Sequence, residues 1–265
     1  MWRVRRVRAN IRWHELCPLE DGFEAASVYF GRFESGIRLS RKGVLLAVRG
    51  RDLTRKLEVA VAAAEAAGGV LRDGFGREHW IEYKGEADLV TEADEEAERK
   101  IEEVLSEPFP DHGVLTEKSG QTEGQSDARG VVDPLDGTTN YVHGVPFFCT
   151  SIALERAGEV VVGVVHDPMA NETYAAERGS GATLNGSPIG VSGTDRPAQA
   201  LLGTSFADRP EELWRWASTF SGGWQGWRGM RRLGSGALDL CYVATGRRDG
   251  CYEQGFRCGT WPQAC

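Results

Sequence analysis

The segment 131–140 constrains the fold of this chain more than any other. It reads Val-Val-Asp-Pro-Leu-Asp-Gly-Thr-Thr-Asn, an apolar pair followed by two carboxylates three residues apart and then by Gly-Thr-Thr. The apolar start predicts a buried strand, Pro134 predicts a bend as the strand ends, and Gly137 and Thr138 predict the opening of a helix. We therefore expect a strand, a tight turn and a helix in direct succession.

The same segment carries ligands for a divalent cation and a phosphate. The bend turns Asp133 and Asp136 toward one point with the Leu135 carbonyl between them, and Mg²⁺ prefers such oxygen donors. The N–H groups of Gly137 and Thr138, unpaired in a first helical turn, can face a phosphate oxygen, while the Thr138 hydroxyl can bind a water. The alternative is a strand-end turn with an Asp cap, because Asp-Pro and Asp-Gly are common turn dipeptides.

Composition excludes some classes of protein. A chain of 265 residues and 29.0 kDa with 41% hydrophobic residues can bury a large core, as one domain or as two packed halves. The net charge of −8 argues against a nucleic-acid or anionic-membrane binder, since such surfaces are usually basic. The six cysteines show no Cys-x-x-Cys spacing and indicate reduced thiols of a cytoplasmic protein.

The first fifty residues differ from the rest. Five arginines lie within residues 3–12 and no long apolar stretch follows, so a secretory signal is not expected. An organellar presequence is a weaker alternative, because acidic residues recur from Glu15 to Glu34. We interpret residues 1–51 as an extension outside the fold. The ordered part is expected to begin with a helix capped at Asp52-Leu53-Thr54.

Two further carboxylates stand at the predicted ends of regular elements. Thr91 begins a second helix that carries Asp94, which as an isolated residue is better explained as the acidic member of a capping box. Glu117 follows the apolar pair Val114-Leu115, which predicts a strand that ends at a cleft; in isolation it would be a surface acid.

Alternating elements continue to the end of the chain. Residues 147–154, 160–166 and 200–206 read as strands, and residues 210–220 and 235–246 as helices. Trp214 and Trp216 are two apart, so they do not share a helix face, and core packing is the simplest role for both.

Four segments resemble the inositol monophosphatase family in order and spacing. They are Asp88-Leu-Val-Thr-Glu-Ala-Asp94, Leu115-Thr-Glu-Lys-Ser-Gly120, Asp133-Pro-Leu-Asp-Gly-Thr-Thr-Asn-Tyr-Val-His-Gly144 and Gly234-Ser-Gly-Ala-Leu-Asp-Leu-Cys241. The resemblance runs from about Leu53 to Cys258. It implies a layered α/β sandwich of helices and sheets, divided near residue 195, and Mg²⁺-dependent, lithium-sensitive hydrolysis of small phosphate monoesters. It also allows a homodimer.

The resemblance assigns a role to each site residue. The ligands of two or more Mg²⁺ ions are expected to be Glu117, Asp133, the carbonyl of Leu135 and Asp136. Thr138 and Asp94 match the pair that orients and deprotonates the attacking water, with in-line displacement and no covalent phosphoenzyme. Lys84 lies where the family often has a basic residue beside the phosphate, although a solvated lysine explains it nearly as well.

Substrate contacts are expected in the second half of the chain. Gly234, Ser235, Gly236 and Glu253 match positions that contact polyol hydroxyls in the family. Arg231 and Arg232 either bind a second anionic group or lie on the surface. myo-Inositol monophosphate is the leading substrate, and histidinol phosphate, other small sugar phosphates or nucleotide phosphates are the alternatives.

The chain departs from the family after Cys258. There the family has Trp-Asp followed by Ala-Ala-Gly, whereas this chain reads Gly-Thr-Trp-Pro-Gln-Ala-Cys over residues 259–265. With suitable codons, one inserted base converts this tail to Trp-Asp-Leu-Ala-Ala-Gly-Leu. We therefore expect an out-of-frame tail and a C-terminally truncated member that lacks one carboxylate of the second metal and whose activity is impaired. A non-catalytic remnant that only binds metal or phosphate is the alternative to an enzyme.

Overall fold

The computed structural model of the protein describes most of the chain. The described residues are 11–12, 27–29, 43–77, 81–83, 89–116, 120–122, 124–204 and 227–253. They divide into two compact units, one centred on Glu34–Pro188 and the other on Ile189–Cys258 together with Met1–Phe33.

The four helices in the described part of the chain are α1 (Gly43–Gly74), α2 (Glu92–Ser106), α3 (Thr138–Val142) and α4 (Gly236–Ala244). A short 3-10 helix covers Pro197–Gln199. The strands are β1 (Ile11–Arg12), β2 (Ser27–Tyr29), β3 (Ile81–Tyr83), β4 (Leu89–Thr91), β5 (Gly113–Thr116), β6 (Gly120–Thr122), β7 (Ala128–Asp136), β8 (Cys149–Arg156), β9 (Glu159–Asp167), β10 (Glu172–Glu177), β11 (Gly181–Leu184), β12 (Ser187–Pro188), β13 (Leu201–Thr204), β14 (Gly229–Arg231) and β15 (Gly250–Glu253).

The first unit contains an eight-stranded sheet in the order β12-β11-β10-β9-β8-β7-β5-β6. Its neighbours are antiparallel except β5 and β7, which run parallel, so their carboxyl ends lie at the same edge. Strands β3 and β4 form a separate antiparallel pair that leads directly into α2.

Helices α1 and α2 cover one face of this sheet. Alternate residues of the central strands, including Val132, Ile152 and Val164, join both helices in one apolar cluster. Leu71 of α1 and Ile101 of α2 are fully buried in it, and each such side chain contributes about 2 kcal/mol of transfer free energy. Ala93, Ala97 and Ile101 form the buried apolar face of α2.

The second unit contains a five-stranded sheet in the order β1-β2-β15-β13-β14. Strand β13 runs parallel to both β14 and β15, and α4 packs against β13 and β15. The predicted helix at 235–246 is confirmed, with Ser235 as its N-cap, because the Ser235 hydroxyl accepts the N–H of Leu238.

Three sequence predictions differ from the structure. Helix α1 begins at Gly43, so the predicted cap at Asp52-Leu53-Thr54 is wrong; residues 44–51 contain helix formers and one interior glycine that does not end the helix. Strands β1 and β2 come from the segment interpreted as an extension, and β2 pairs with β15. Strand β7 continues through Pro134 to Asp136 rather than ending at the proline.

Other predictions lie outside the described residues. They concern the helix at 210–220 with Trp214 and Trp216, the side chains of Lys84 and Glu117, and the tail at 259–265. The division into domains stays a prediction.

Candidate active site

The site begins with an irregularity in β7. Asp133 lies opposite Ser151 and Asp136 lies opposite Cys149, so three steps along β7 match two steps along β8. This is a β-bulge, with one extra residue on β7. In a regular strand, residues three apart point to opposite faces. The bulge therefore brings Asp133 and Asp136 to the same face of the sheet, which is the face of Ser151 and Cys149.

Hydrogen bonds hold the bulge in place. The Leu135 N–H donates to Asp133 Oδ1 at 3.2 Å, and the Thr150 hydroxyl donates to the Pro134 carbonyl at 3.0 Å. Leu135 itself points into the apolar cluster and is 2% exposed. The side chain of Leu135 thus anchors the bulge in the core. Its carbonyl lies between the two aspartates in the sequence.

Asp133 and Asp136 are buried, with 5% and 6% of each residue exposed. Burying like charges costs free energy unless something neutralises them, and a divalent cation held by oxygen atoms does so. Two carboxylates and the Leu135 carbonyl are oxygen donors, which is the type of ligand that such a cation binds. The thiol of Cys149 donates to Asp136 Oδ2 at 3.7 Å and orients that carboxylate, a contact that the sequence analysis missed.

The third predicted carboxylate, that of Glu117, lies outside the described residues. Among the described residues, no three His, Cys, Asp or Glu side chains form a cluster that can hold a metal. Glu117 lies in the segment 117–119, outside those residues. The described strand before it, β5, ends at Thr116, which pairs with Val132 immediately before Asp133.

Helix α3 follows the bulge directly, as predicted. Gly137 caps it with a φ of 98°, a left-handed conformation that glycine adopts without strain. The Thr138 hydroxyl donates to the Leu135 carbonyl at 3.0 Å. Because a hydroxyl has one proton, Thr138 cannot donate to Asp94 in this geometry; the expected Thr138–Asp94 pair stays a prediction.

An aromatic cluster fixes α3 against α1. Tyr141 is 1% exposed, its hydroxyl donates to the Leu71 carbonyl at 2.9 Å, and its ring packs edge-on against Phe148. Burial, assisted by the negative charge of Asp94, raises the pKa of Tyr141 to about 12. Asp94 is therefore within electrostatic reach of α3, on the first turn of α2.

Asp94 does not stand alone on α2. Glu98, one turn further, is 3% exposed and accepts a hydrogen bond from Thr116 at 3.0 Å. This contact joins α2 to the end of β5. The sequence analysis did not single out Glu98, although its spacing of four from Asp94 puts both carboxylates on one side of the helix.

The predicted substrate contacts belong to the second unit. Gly234 has a φ of 90°, Ser235 is 1% exposed, and Gly236 is the first residue of α4. Glu253 is the last residue of β15. Arg231 and Arg232 are exposed at the end of β14. The structure thus brings Gly234, Ser235 and Gly236 together at the start of one helix.

Comparisons with known proteins decide the family. The sequence model of the inositol monophosphatase family matches residues 52–264. The chain belongs to the inositol monophosphatase family. An inositol monophosphatase of Mesembryanthemum crystallinum is 42% identical over 211 residues, covering 77% of this chain and 78% of that relative. A protein of Pasteurella multocida named Nus factor SuhB is 42% identical over 205 residues, covering 76% and 77%.

Solved structures share the fold. The extragenic suppressor protein SuhB of Bartonella henselae has a TM-score of 0.74 at 39% identity, covering 78% of this chain and 81% of its own. The inositol monophosphatase of Thermotoga maritima has a TM-score of 0.72 at 33% identity, covering 79% and 80%. The predicted layered α/β architecture is confirmed, and so is the assignment to a family of phosphatases. No helix in the described part of the chain is long and apolar enough to cross a bilayer.

Proposed function

We propose that this inositol monophosphatase family member hydrolyses myo-inositol monophosphate with Mg²⁺ as cofactor. The observation that carries the proposal is the bulge in β7, which turns Asp133 and Asp136 to one face immediately before α3. Relatives named inositol monophosphatase, 42% and 41% identical, support the substrate. Relatives named Nus factor SuhB are equally similar, so membership of the family alone does not select the substrate.

Two or more Mg²⁺ ions would be held by Asp133, Asp136, the Leu135 carbonyl and Glu117. When bound, Mg²⁺ supplies positive charge that neutralises the phosphate and activates a water. The protein supplies position: Thr138 and Asp94 would hold the attacking water, and the N–H groups at Gly137 and Thr138 would contact a phosphate oxygen. This division is typical of phosphoryl transfer, in which proteins mainly position groups and neutralise charge.

The polyol would lie against Gly234, Ser235, Gly236 and Glu253. Residues without bulky side chains leave room for a ring, and a glutamate accepts hydrogen bonds from ring hydroxyls. The proposal also places Lys84 beside the phosphate and gives Arg231 or Arg232 a contact with a second anionic group. It includes inhibition by lithium, a homodimer and a cytoplasmic location.

A phosphate-release panel tests the function. Purified protein is incubated with myo-inositol monophosphate, histidinol phosphate, fructose 1,6-bisphosphate and a phosphoadenosine compound, with Mg²⁺, with EDTA, and with Mg²⁺ plus Li⁺. We expect Mg²⁺-dependent release that is highest for the inositol ester and reduced by lithium. Preference for another ester would refute the substrate, and no release from any ester would favour a non-catalytic protein.

A further inference from the structure

A buried ion pair joins α4 to the chain that leads into β15. Arg248 Nη1 lies 2.6 Å from Asp239 Oδ1, and both side chains are 2% exposed. Burial raises the pKa of Asp239 to about 6, against the opposing charge of Arg248. A buried pair of this kind costs desolvation energy that its attraction often only offsets, so stability alone does not explain it.

The surroundings fit the guanidinium closely. Gly203 on β13 has no side chain where Arg248 lies, and a Cβ at that position would be 2.4 Å from Nη1. The Tyr242 ring centroid is 5.4 Å from Arg248 Cζ, and the Arg248 N–H donates to the Tyr242 carbonyl at 3.0 Å. Strand β13 and helix α4 together therefore fix the position of the charge.

The other partner belongs to the first turn of α4. The Asp239 N–H donates to the Ser235 carbonyl at 3.1 Å, and the Leu238 N–H donates to Ser235 Oγ at 3.4 Å. Gly234 turns the chain just before, with its φ of 90°. A shift of Asp239 would therefore displace the turn that contains Gly234, Ser235 and Gly236.

We propose that the Asp239–Arg248 pair positions the turn 234–236 for substrate binding. The inference rests on the proposed function, which assigns the substrate contacts to this turn. The ion pair holds the start of α4 at a fixed distance from β13 and β15, and the turn follows. Both residues are positioning residues, because neither is assigned a contact with the substrate.

Three variants test the inference. Arg248→Lys keeps the charge but removes the planar fork, and the double variant Asp239→Leu with Arg248→Met replaces the pair by apolar side chains. Arg247→Lys is the matched control, because Arg247 is exposed and its Cζ lies 5.1 Å from the same Tyr242 ring. Each is assayed for kcat and KM with myo-inositol monophosphate, for melting temperature, and for hydrogen exchange of the backbone amides at positions 238 and 239.

The control should behave as the wild type. For Arg248→Lys and the double variant we expect KM to rise about tenfold with kcat within about threefold, because the turn contributes binding rather than chemistry. Exchange of the amides at positions 238 and 239, relative to the intrinsic rate of each sequence, should be faster in both. The double variant should keep its melting temperature, since apolar replacement of a buried pair is often neutral or stabilising.

A folded double variant with unchanged KM would overturn the inference and leave the pair a structural contact. Loss of folding in both test variants would also overturn it, because the pair would then serve the fold as a whole. Failure of the proposed function looks different: the wild type itself would release no phosphate from the inositol ester. The exchange measurement needs no substrate, so it still reports whether the pair orders the start of α4.

Discussion

At Asp133, the turn-forming interpretation does not exclude the metal-binding interpretation. One carboxylate oxygen accepts the Leu135 N–H, as in the turn that the Asp-Pro sequence predicts. A carboxylate has further lone pairs, so this hydrogen bond does not prevent a metal contact. Asp136 accepts a hydrogen bond from the Cys149 thiol, and an Asp136 variant tests the cation site.

Asp136→Asn should keep the fold and lower phosphate release by about a hundredfold or more, because it removes charge from the cation site and almost no volume. Asp127→Asn is the control, because Asp127 is an exposed carboxylate just before β7, and it should leave phosphate release unchanged. Phosphate release is measured up to saturating Mg²⁺. Full activity of Asp136→Asn under those conditions would refute the assignment.

Asp94→Asn separates catalysis from capping. If Asp94 orients the attacking water, turnover should fall strongly while unfolding free energy falls by about 1 kcal/mol or less, because the amide keeps the shape and most hydrogen bonds. Glu95→Gln, the exposed neighbour on the same turn, controls for charge near the helix N-terminus. A large loss of stability with unchanged turnover would show that Asp94 is only a cap.

Sequence reasoning singled out residues that stand in motifs and did not single out residues that are defined by burial. The succession of strand and helix around Asp133, Asp136, Gly137 and Thr138 was predictable, because Pro, Gly and paired carboxylates have local meaning, and the roles of these residues in the site stay predictions. Glu98, Cys149 and Arg248 act through contacts with distant strands or helices, and no local pattern marks them. Asp239 did carry a signal: a lone charge in the apolar run Ala237 to Cys241 indicates a buried, paired carboxylate.

Among the elements, α1 shows how closely helix and sheet approach. A Cβ at Gly68 would lie 2.3 Å from His166 Cδ2 on β9, whereas a Cβ at the next residue, Gly69, would meet nothing within 4 Å. The two adjacent glycines therefore have different roles. Gly68 makes room for the imidazole, and Gly69 only lowers helix propensity.

Gly68→Ala should destabilise the protein by about 1–3 kcal/mol through overpacking. Gly69→Ala should instead stabilise it by roughly 0.5–1 kcal/mol, because alanine favours a helix interior. Denaturant unfolding of the two variants measures the contrast. Equal effects would mean that the imidazole moves aside freely.

The contact between α1, β9 and β10 also predicts that the free energy of unfolding depends on pH. Thr173 donates to Glu65 at 3.1 Å, so its oxygen accepts the Nδ1–H of His166 at 3.0 Å. Burial, with a smaller contribution from Arg72, lowers the pKa of His166, while Glu65 opposes the shift. The folded state thus binds fewer protons than the unfolded state below about pH 6.5.

The stability from this group is fully present above about pH 6.5 and is lost as the pH falls toward the folded-state pKa. Unfolding free energy of the wild type should therefore decrease between pH 7.5 and 5.5, by at most about 1.4 kcal/mol per pH unit from this residue. His166→Gln should show a flatter profile. His143→Gln, at an exposed position, is the control, and an identical slope in His166→Gln and wild type would exclude this source.

For the whole molecule, the net charge of −8 opposes the binding of an anionic substrate. An acidic protein repels phosphate unless positive charge is supplied locally, and bound cations supply it. The overall charge could be read from the sequence, as could the family and the α/β class. The pairing of β2 with β15 could not, because it depends on a contact between distant segments.

Mg²⁺ should raise the melting temperature of the wild type in the absence of substrate. A ligand that binds the folded state at 100 times its Kd adds about 2.7 kcal/mol of stability. NaCl at matched ionic strength should reproduce little of the shift, and Asp136→Asn should lose most of it. Equal shifts with Mg²⁺ and NaCl would mean general screening rather than a site.

The bulge in β7 has a practical meaning for protein engineering. A search for two aspartates three apart in other sheets would mostly find side chains on opposite faces, since the alternation of a strand separates them. Grafting this pair onto a new scaffold would therefore require the neighbouring strand's offset and a hydroxyl like that of Thr150 as well. In such a graft, the Asp-Pro-Leu-Asp sequence would have to be transferred together with the strand that pairs with it.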